Sequence, residues 1–318
     1  MLDLKQKVDK LELEVTSLRK ERDELKEKLN KKSFTIGQFT DQNVKRYTGV
    51  PNIHLFAWIV SLVSEFITDR HVISIPDQVL LVLMKLRLGI TNWDLAYRFD
   101  ISRTTVSEII NECIPIFAQR FKFLIRWPSK EVLLKNMPRC FKRKFGKCCV
   151  IIDCTEFFME RPFNLKTRAK TWSNCKHHHT LKCLIGITPH GAVSFLSRCW
   201  GGRISDKDLT KRSGFYDMLN YGDQVMADRG FTISQELAQK GAYLVMPPFV
   251  KGRRQLPGRT VEKSRQISAL RIHVERAIER IKNYVILKNT LPLTLVPLAS
   301  DIVVICGALT NLSPKLIS

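Results

Sequence analysis

The chain has 318 residues, 44% of them hydrophobic, and its 52 Lys+Arg against 30 Asp+Glu give a formal net charge of +22. That content supports a core and excludes a disordered chain. The longest apolar runs, Val79–Met84 and Ile302–Cys306, are far shorter than a membrane span, so no transmembrane segment or membrane partner is expected, and the charged, periodic N-terminus does not read as a secretory signal. Nine cysteines without any C-x-x-C spacing argue against a disulfide framework or a standard zinc module and favour a reducing compartment. The positive excess points to a polyanionic partner, with nucleic acid ahead of a membrane surface.

Residues 1–34 form a heptad segment. Leu4, Leu11, Leu18 and Leu25 recur every seven residues, and Val8, Val15, Arg22 and Leu29 fill the other seam position. β-branched residues at one seam position with Leu at the other predict a parallel two-stranded coiled coil and hence a homodimer. Arg22 in that seam costs stability, and the competing reading is a single amphipathic helix packed on its own domain. The segment carries ten basic and eight acidic side chains, a net of +2, which leaves +20 for the remaining chain. Much of that excess lies in three runs. Arg126–Lys147 holds eight Lys/Arg and one acid, Arg161–Lys182 six and none, and Lys251–Arg280 nine and three.

Residues 77–113 read as a helix-turn-helix. Asp77 is expected to cap a helix over 79–88 that ends at Gly89. Thr91 caps a second helix, Asn92–Phe99, and Ser102 caps a third that runs to Cys113. Leu95, Ala96, Val106, Ile109 and Ile110 form the buried positions. In such a motif the early residues of the last helix face base edges; here they are Arg103, Thr104 and Thr105, with Glu108 beside them. That helix is poor in Lys/Arg, so affinity must draw on neighbouring basic surface. The bland alternative is an ordinary helical hairpin.

From residue 150 the pattern becomes β-rich and then alternates with helices. Strands are predicted at 150–155, 184–187, 193–197, 224–227 and 243–246, and helices at 234–240 and 261–284, which implies a mixed sheet flanked by helices, an α/β fold. Asp153 and Asp228 lie in or at the end of apolar strands, where a carboxylate is costly unless it is paired or holds a metal. Glu275 lies on the long helix. Together they offer hard oxygen donors suited to Mg²⁺ or Mn²⁺, and two such ions stabilise the attacking and leaving oxygens of phosphodiester cleavage. The competing reading is structural: Asp153 capping a turn, Asp228 pairing with Arg229, Glu275 with Arg271 or Arg276.

The strings IIDCTEFFMERP (151–162), TWSNCKHHHTLKCLIGITPHG (171–191), WGGRISDKDLT (200–210), MADRGF (226–231) and RIHVERAIERIKNY (271–284) resemble the DDE-superfamily endonuclease domain of Harbinger/PIF-type transposases and their domesticated relatives. The helix-turn-helix is similar to the one preceding that domain in such proteins, including relatives with an N-terminal THAP zinc finger. The resemblance implies an RNase H-like core over 148–312, divalent-metal-dependent DNA cleavage by the triad Asp153, Asp228 and Glu275, and a nuclear setting. It also implies a separate Myb-like DNA-binding partner, which such transposases often need. A domesticated DNA-binding protein that no longer cuts is the alternative.

The expected organisation is therefore a coiled coil (1–34), a helical region with the helix-turn-helix (35–125), a basic linker (126–147) and the endonuclease domain (148–312). Glu279 is a second acid one turn after Glu275, Glu156 a candidate secondary ligand, and Asp206 a further candidate to face the metals. Lys176, Arg229 and Arg276 are candidate phosphate contacts. His177, His178 and His179 beside Cys175 and Cys183 do not have the spacing of a closed zinc site. Trp172 and Trp200 are candidates for base stacking or for the core. Lys142–Lys144 and Lys251–Arg254 read as nuclear import signals or as DNA-facing surface.

Overall fold

The computed structural model describes residues 2–32, 34–248, 258–314 and 316. The basic string Lys251–Arg254, and with it the start of the third basic run, lies outside the described residues.

The first element, α1 (Leu2–Lys32), is a continuous helix of 31 residues. Its seam residues Leu11, Val15 and Leu18 are exposed, at 59%, 45% and 58%; they are not packed on the domain. The side chains of Leu4, Val8, Leu25 and Leu29 lie outside the described ones.

A helical region follows: α2 (Asp41–Thr48), α3 (Ile53–Val63), α4 (Ile75–Leu88), α5 (Asn92–Phe99) and α6 (Arg103–Phe121). Thr91 and Ser102 cap α5 and α6 as predicted, each hydroxyl accepting a backbone N–H of the first turn. The cap of α4 is Ser74, not Asp77. Pro76 fits the first turn, where its missing N–H costs nothing. Asp77 sits three residues after the cap, where Oδ2 accepts from Ser74 Oγ (2.7 Å) and Oδ1 from the Ile36 amide (2.8 Å). α6 also runs past Cys113 to Phe121, through Pro115, because Ile114, Phe117, Ala118 and Phe121 continue its buried face. Asp100 closes α5 in the left-handed region (φ 50°), a conformation Asp tolerates better than most residues.

Past the short helices α7 (Lys130–Lys135) and α8 (Arg139–Lys142) comes a mixed sheet. Its strands are β1 (Cys148–Phe158), β2 (Trp172–Ser173), β3 (His178–Ile187), β4 (Val193–Leu196), β5 (Trp200–Gly201), β6 (Gln224–Met226) and β7 (Tyr243–Val245), in the order β2-β3-β1-β6-β7, with β4 and β5 also paired to β3. β1 is antiparallel to β3 and parallel to β6, and β6 is parallel to β7. β1 and β3 are longer than their apolar runs suggested, because Glu156–Phe158 pairs with Thr180–Lys182, and His178 and His179 extend β3 further by pairing with β2.

Side chains alternate along β1. Ile151 joins Ile185, Ile187 and Met226 in the larger core, and Val150 and Ile152 join Leu184 and Val225 in a smaller one on the other side. The smaller core is closed by residues of α10 (Asp206–Arg212) and α11 (Ser234–Gln239), with Phe215 and Phe231. The larger is closed by α12 (Gly258–Lys282), α13 (Val285–Lys288) and α14 (Ala299–Asn311). α9 (Leu165–Thr171) packs on β3 and β5. The larger core also takes in Val79–Met84 of α4 and Ile109–Phe121 of α6, so the helical region and the sheet share one apolar interior. The stretch Leu293–Asn311 is long and apolar enough to cross a membrane by length and composition, which the count of uninterrupted apolar residues did not reveal. Ile302, Val303, Ile305, Cys306, Ala308 and Leu309 of that stretch are buried in the shared core.

Candidate active site

Asp153 and Asp228 reach one place because of the parallel β1–β6 register. Ile151 pairs with Met226, so two residues further along each chain stand Asp153 and Asp228, on the same face because side chains alternate with period two. That face is the one covered by α12, which carries Arg271 and Glu275 one helical turn apart. The Arg271 guanidinium donates from Nη1 to Asp228 Oδ1 (3.0 Å), and Nη2 lies 3.8 Å from Glu275 Oε1. It also exerts a stabilising field on Asp153.

Asp153 is half-buried, and burial pushes its carboxyl up to about 6; the Cys154 amide, donating to Oδ1 (2.8 Å), and Arg271 oppose that rise, while Asp228 and Asp206 add to it. Arg271 is itself almost buried, and its Nε meets no hydrogen-bond acceptor. Among the described residues no three acidic, His or Cys side chains stand close enough to share one ion as they are; a cationic side chain lies among the acids instead. A divalent cation fits this donor set by charge and by the hardness of carboxylate oxygen.

Asp206, at the start of α10, belongs to the same neighbourhood. Its carboxylate pairs with Lys182 Nζ at 2.6 Å and contacts the Cys154 thiol, whose pKa burial raises. Glu156 points elsewhere: its Oε2 accepts from Thr180 Oγ1 (2.7 Å), and its carbonyl accepts from Lys282 Nζ (3.0 Å). Glu279 is exposed one turn beyond Glu275. Of the expected phosphate contacts, Arg229, Arg276 and Lys176 are all exposed. The amide of Arg229 donates to Asp228 Oδ1, and Lys176 stands in the turn between β2 and β3. The role of Arg271 was visible in the sequence only as one possible partner of Glu275. The i, i+4 spacing is the signal, and nothing in it reveals that the guanidinium turns inward.

Two stretches of the chain match known families. A model described as DDE superfamily endonuclease matches residues 152–311, and one described as the helix-turn-helix of DDE superfamily endonuclease matches 71–123. The chain is 30% identical over 263 residues, 79% of its length, to 87% of a probable transposase for insertion sequence element IS702 from Microchaete diplosiphon. The chain belongs to the DDE superfamily of endonucleases. Over 185 residues, 55% of the chain, it is 24% identical to 45% of a protein ALP1-like from Arabidopsis thaliana.

The helix-turn-helix of this DDE endonuclease chain is held as a unit. Asn92 Nδ2 donates to Ser107 Oγ (3.0 Å), tying α5 to α6. Arg103 and Thr104 are exposed at the start of α6, with the Arg103 guanidinium over the Trp93 ring at 4.9 Å. The Thr105 hydroxyl is engaged with the Ser102 cap (2.9 Å). Trp93 and Tyr97 of α5, exposed at 69% and 88%, share this surface and were passed over in the sequence as ordinary helix residues.

Proposed function

We propose that the chain is a divalent-metal-dependent DNA endonuclease of the transposase type, in the Harbinger/PIF branch, with Asp153, Asp228 and Glu275 as its metal-holding and catalytic residues. The observation that carries this reading is the arrangement of the three acids, one on β1, one just past the end of the adjacent parallel β6 and one on the facing α12, around the Arg271 guanidinium. The antiparallel β1–β3 and parallel β1–β6–β7 pairing agrees with an RNase H-like core. Mg²⁺ or Mn²⁺, when bound, supplies the charge that activates an attacking oxygen and neutralises a leaving one. Asp153 on β1 and Asp228 just past β6 would hold that ion, and Glu275 would complete the set from α12. Arg271 pairs with Asp228 and lies beside Glu275, and would have to release Asp228 for these acids to hold a metal. Arg229, Arg276 and Lys176 hold flanking phosphates, and Arg103, Thr104 and Thr105 sit in the major groove.

The uncovered Leu11–Val15–Leu18 stripe supports pairing of two protomers through α1, which would bring two active sites to two DNA ends. A nuclear setting, a Myb-like partner and the division at 1–34, 35–125, 126–147 and 148–312 complete the proposal.

A second reading, a DNA-binding protein that no longer cuts, is favoured by Arg271, which already pairs with Asp228 and lies beside Glu275. One assay separates the two. Purified chain should nick supercoiled DNA with Mg²⁺ or Mn²⁺ and not in EDTA, and Asp153→Asn should abolish the nicking. Intact DNA in every condition, together with tight salt-sensitive binding, selects the second reading; nicking unchanged by Asp153→Asn refutes the triad.

A further inference from the structure

Away from the acids, beyond the far end of β1, lies a cleft of about 810 Å³. Its walls come from Met159–Arg161, the end of α9, Trp172 of β2, the turn into β3, Arg203 and Thr290. The volume falls within the range of about 300–1,000 Å³ typical of sites that enclose a small organic ligand, and a nucleotide has that size. Three guanidinium groups, Arg161, Arg168 and Arg203, line it with His177, His178 and His179; the one acid, Glu160, is engaged through Oε2 by the Leu293 amide (2.9 Å).

The aromatic wall is built, not incidental. Trp172 pairs with His179 across β2 and β3, and the rings meet edge-on at 5.3 Å. Thr171 Oγ1 bonds His179 Nδ1 at 3.0 Å, which fixes the imidazole, yet Trp172 remains 40% exposed. His177 is held at φ 52°, a strained conformation for a residue with a side chain, by the hydrogen bond its backbone N–H donates to the Ser173 carbonyl (2.9 Å). The field is positive: the His179 pKa is lowered by burial first and then by Arg161, His178 and Arg168.

We infer that this cleft is a subsite for an unpaired nucleotide of the DNA strand, its base stacked on Trp172 and its phosphates held by Arg161, Arg168 and Arg203. The inference rests on the DNA-endonuclease reading. A base inside a duplex shows its faces only to its neighbours in the stack, so only an unpaired base can lie on Trp172. Met159 stands six residues beyond Asp153, just past the end of β1, about 20 Å along an extended chain and about six steps of DNA rise. Lys176 and Lys282, close enough to repel each other, lie beside this path and keep it basic.

The test is equilibrium binding of the full chain to three labelled DNAs in EDTA: a blunt duplex, the same duplex with a single-stranded tail, and one with an internal mismatch. The expected result is about tenfold tighter binding of one or both DNAs with unpaired bases, as one stacked base supplies. Whichever it is separates a frayed end from a flipped base. Trp172→Ala and Arg161→Ala should each remove most of that preference while leaving blunt-duplex affinity within about twofold, and Trp172→Phe should restore it. The Arg161 side chain is exposed, so its replacement leaves the core packing untouched. Equal affinity for all three DNAs, or equal losses on all three in the variants, overturns the subsite. Because no cutting is read, a chain that discriminates but never nicks sinks the nuclease reading alone, and one that nicks without discriminating sinks the cleft alone.

Discussion

The electrostatics of Asp153 set two expectations. Burial holds its carboxyl near 6, above the ordinary value of 3.8. Between about pH 4 and pH 6 the metal-free folded chain therefore binds more protons than the unfolded chain, so stability falls as pH rises through that window and then levels off. Asp153→Asn removes the buried charge. In EDTA at pH 7.5 the variant should be more stable than the wild type by up to about 2 kcal/mol, and the gap should close near pH 4, as read by urea unfolding. Arg271→Ala should do the reverse. It leaves Asp228 and Asp153 without their cation, at a cost of about 1–2 kcal/mol because Asp228 is half-exposed and screened. Added Mg²⁺ should raise the melting temperature of Arg271→Ala more than that of the wild type; an equal rise would show that Arg271 does not oppose the metal.

At the scale of elements, the legible features were those with a period or a cap. The apolar run from Val150 marked β1 and placed Asp153 in it; Thr91, Ser102 and Gly89 marked helix ends that the structure keeps. The N-terminus of α4 was misread because an acid after proline looks like a cap, whereas the first hydroxyl upstream takes that place. Ser74→Ala should cost about 1 kcal/mol, and Asp77→Ala somewhat more, since it also frees the Ile36 amide. Short elements such as β2 and β5, two residues each, had no pattern to read. They exist because β3 offers an edge, and so the Trp172 cleft was not visible in the sequence either, although Trp172 and His177–His179 were singled out. In α1, Leu18→Glu puts a charge into the exposed stripe. If that stripe is a dimer seam, sedimentation should show pairs in the wild type and single chains in the variant.

For the whole molecule the decisive fact is the shared interior. Heptads, caps and strand patterns are local and divide the chain into segments; which segments bury against which is a long-range property that no local pattern carries. Phe117 of α6 is fully buried in the same core as Ile302 and Cys306 of α14. Phe117→Ala should cost about 3–5 kcal/mol. The loss should appear in one transition, coincident in the far-ultraviolet signal and in the emission of tryptophans spread over both regions, Trp58 and Trp93 in the helices and Trp172 and Trp200 in the sheet. Two separated transitions would mean that the helical region unfolds by itself.

That shared core gives the molecule the character of a ruler. Arg103 and Asp153 are joined through packed helices, with α6 against α14 and α4 against α13, and not by a swivel. If α6 reads a sequence while the acids cut, the interval between the two points on the DNA is set by the protein's own dimensions. Adding a few base pairs between them would not be absorbed by the chain; it would rotate the cleavage point around the duplex and out of reach.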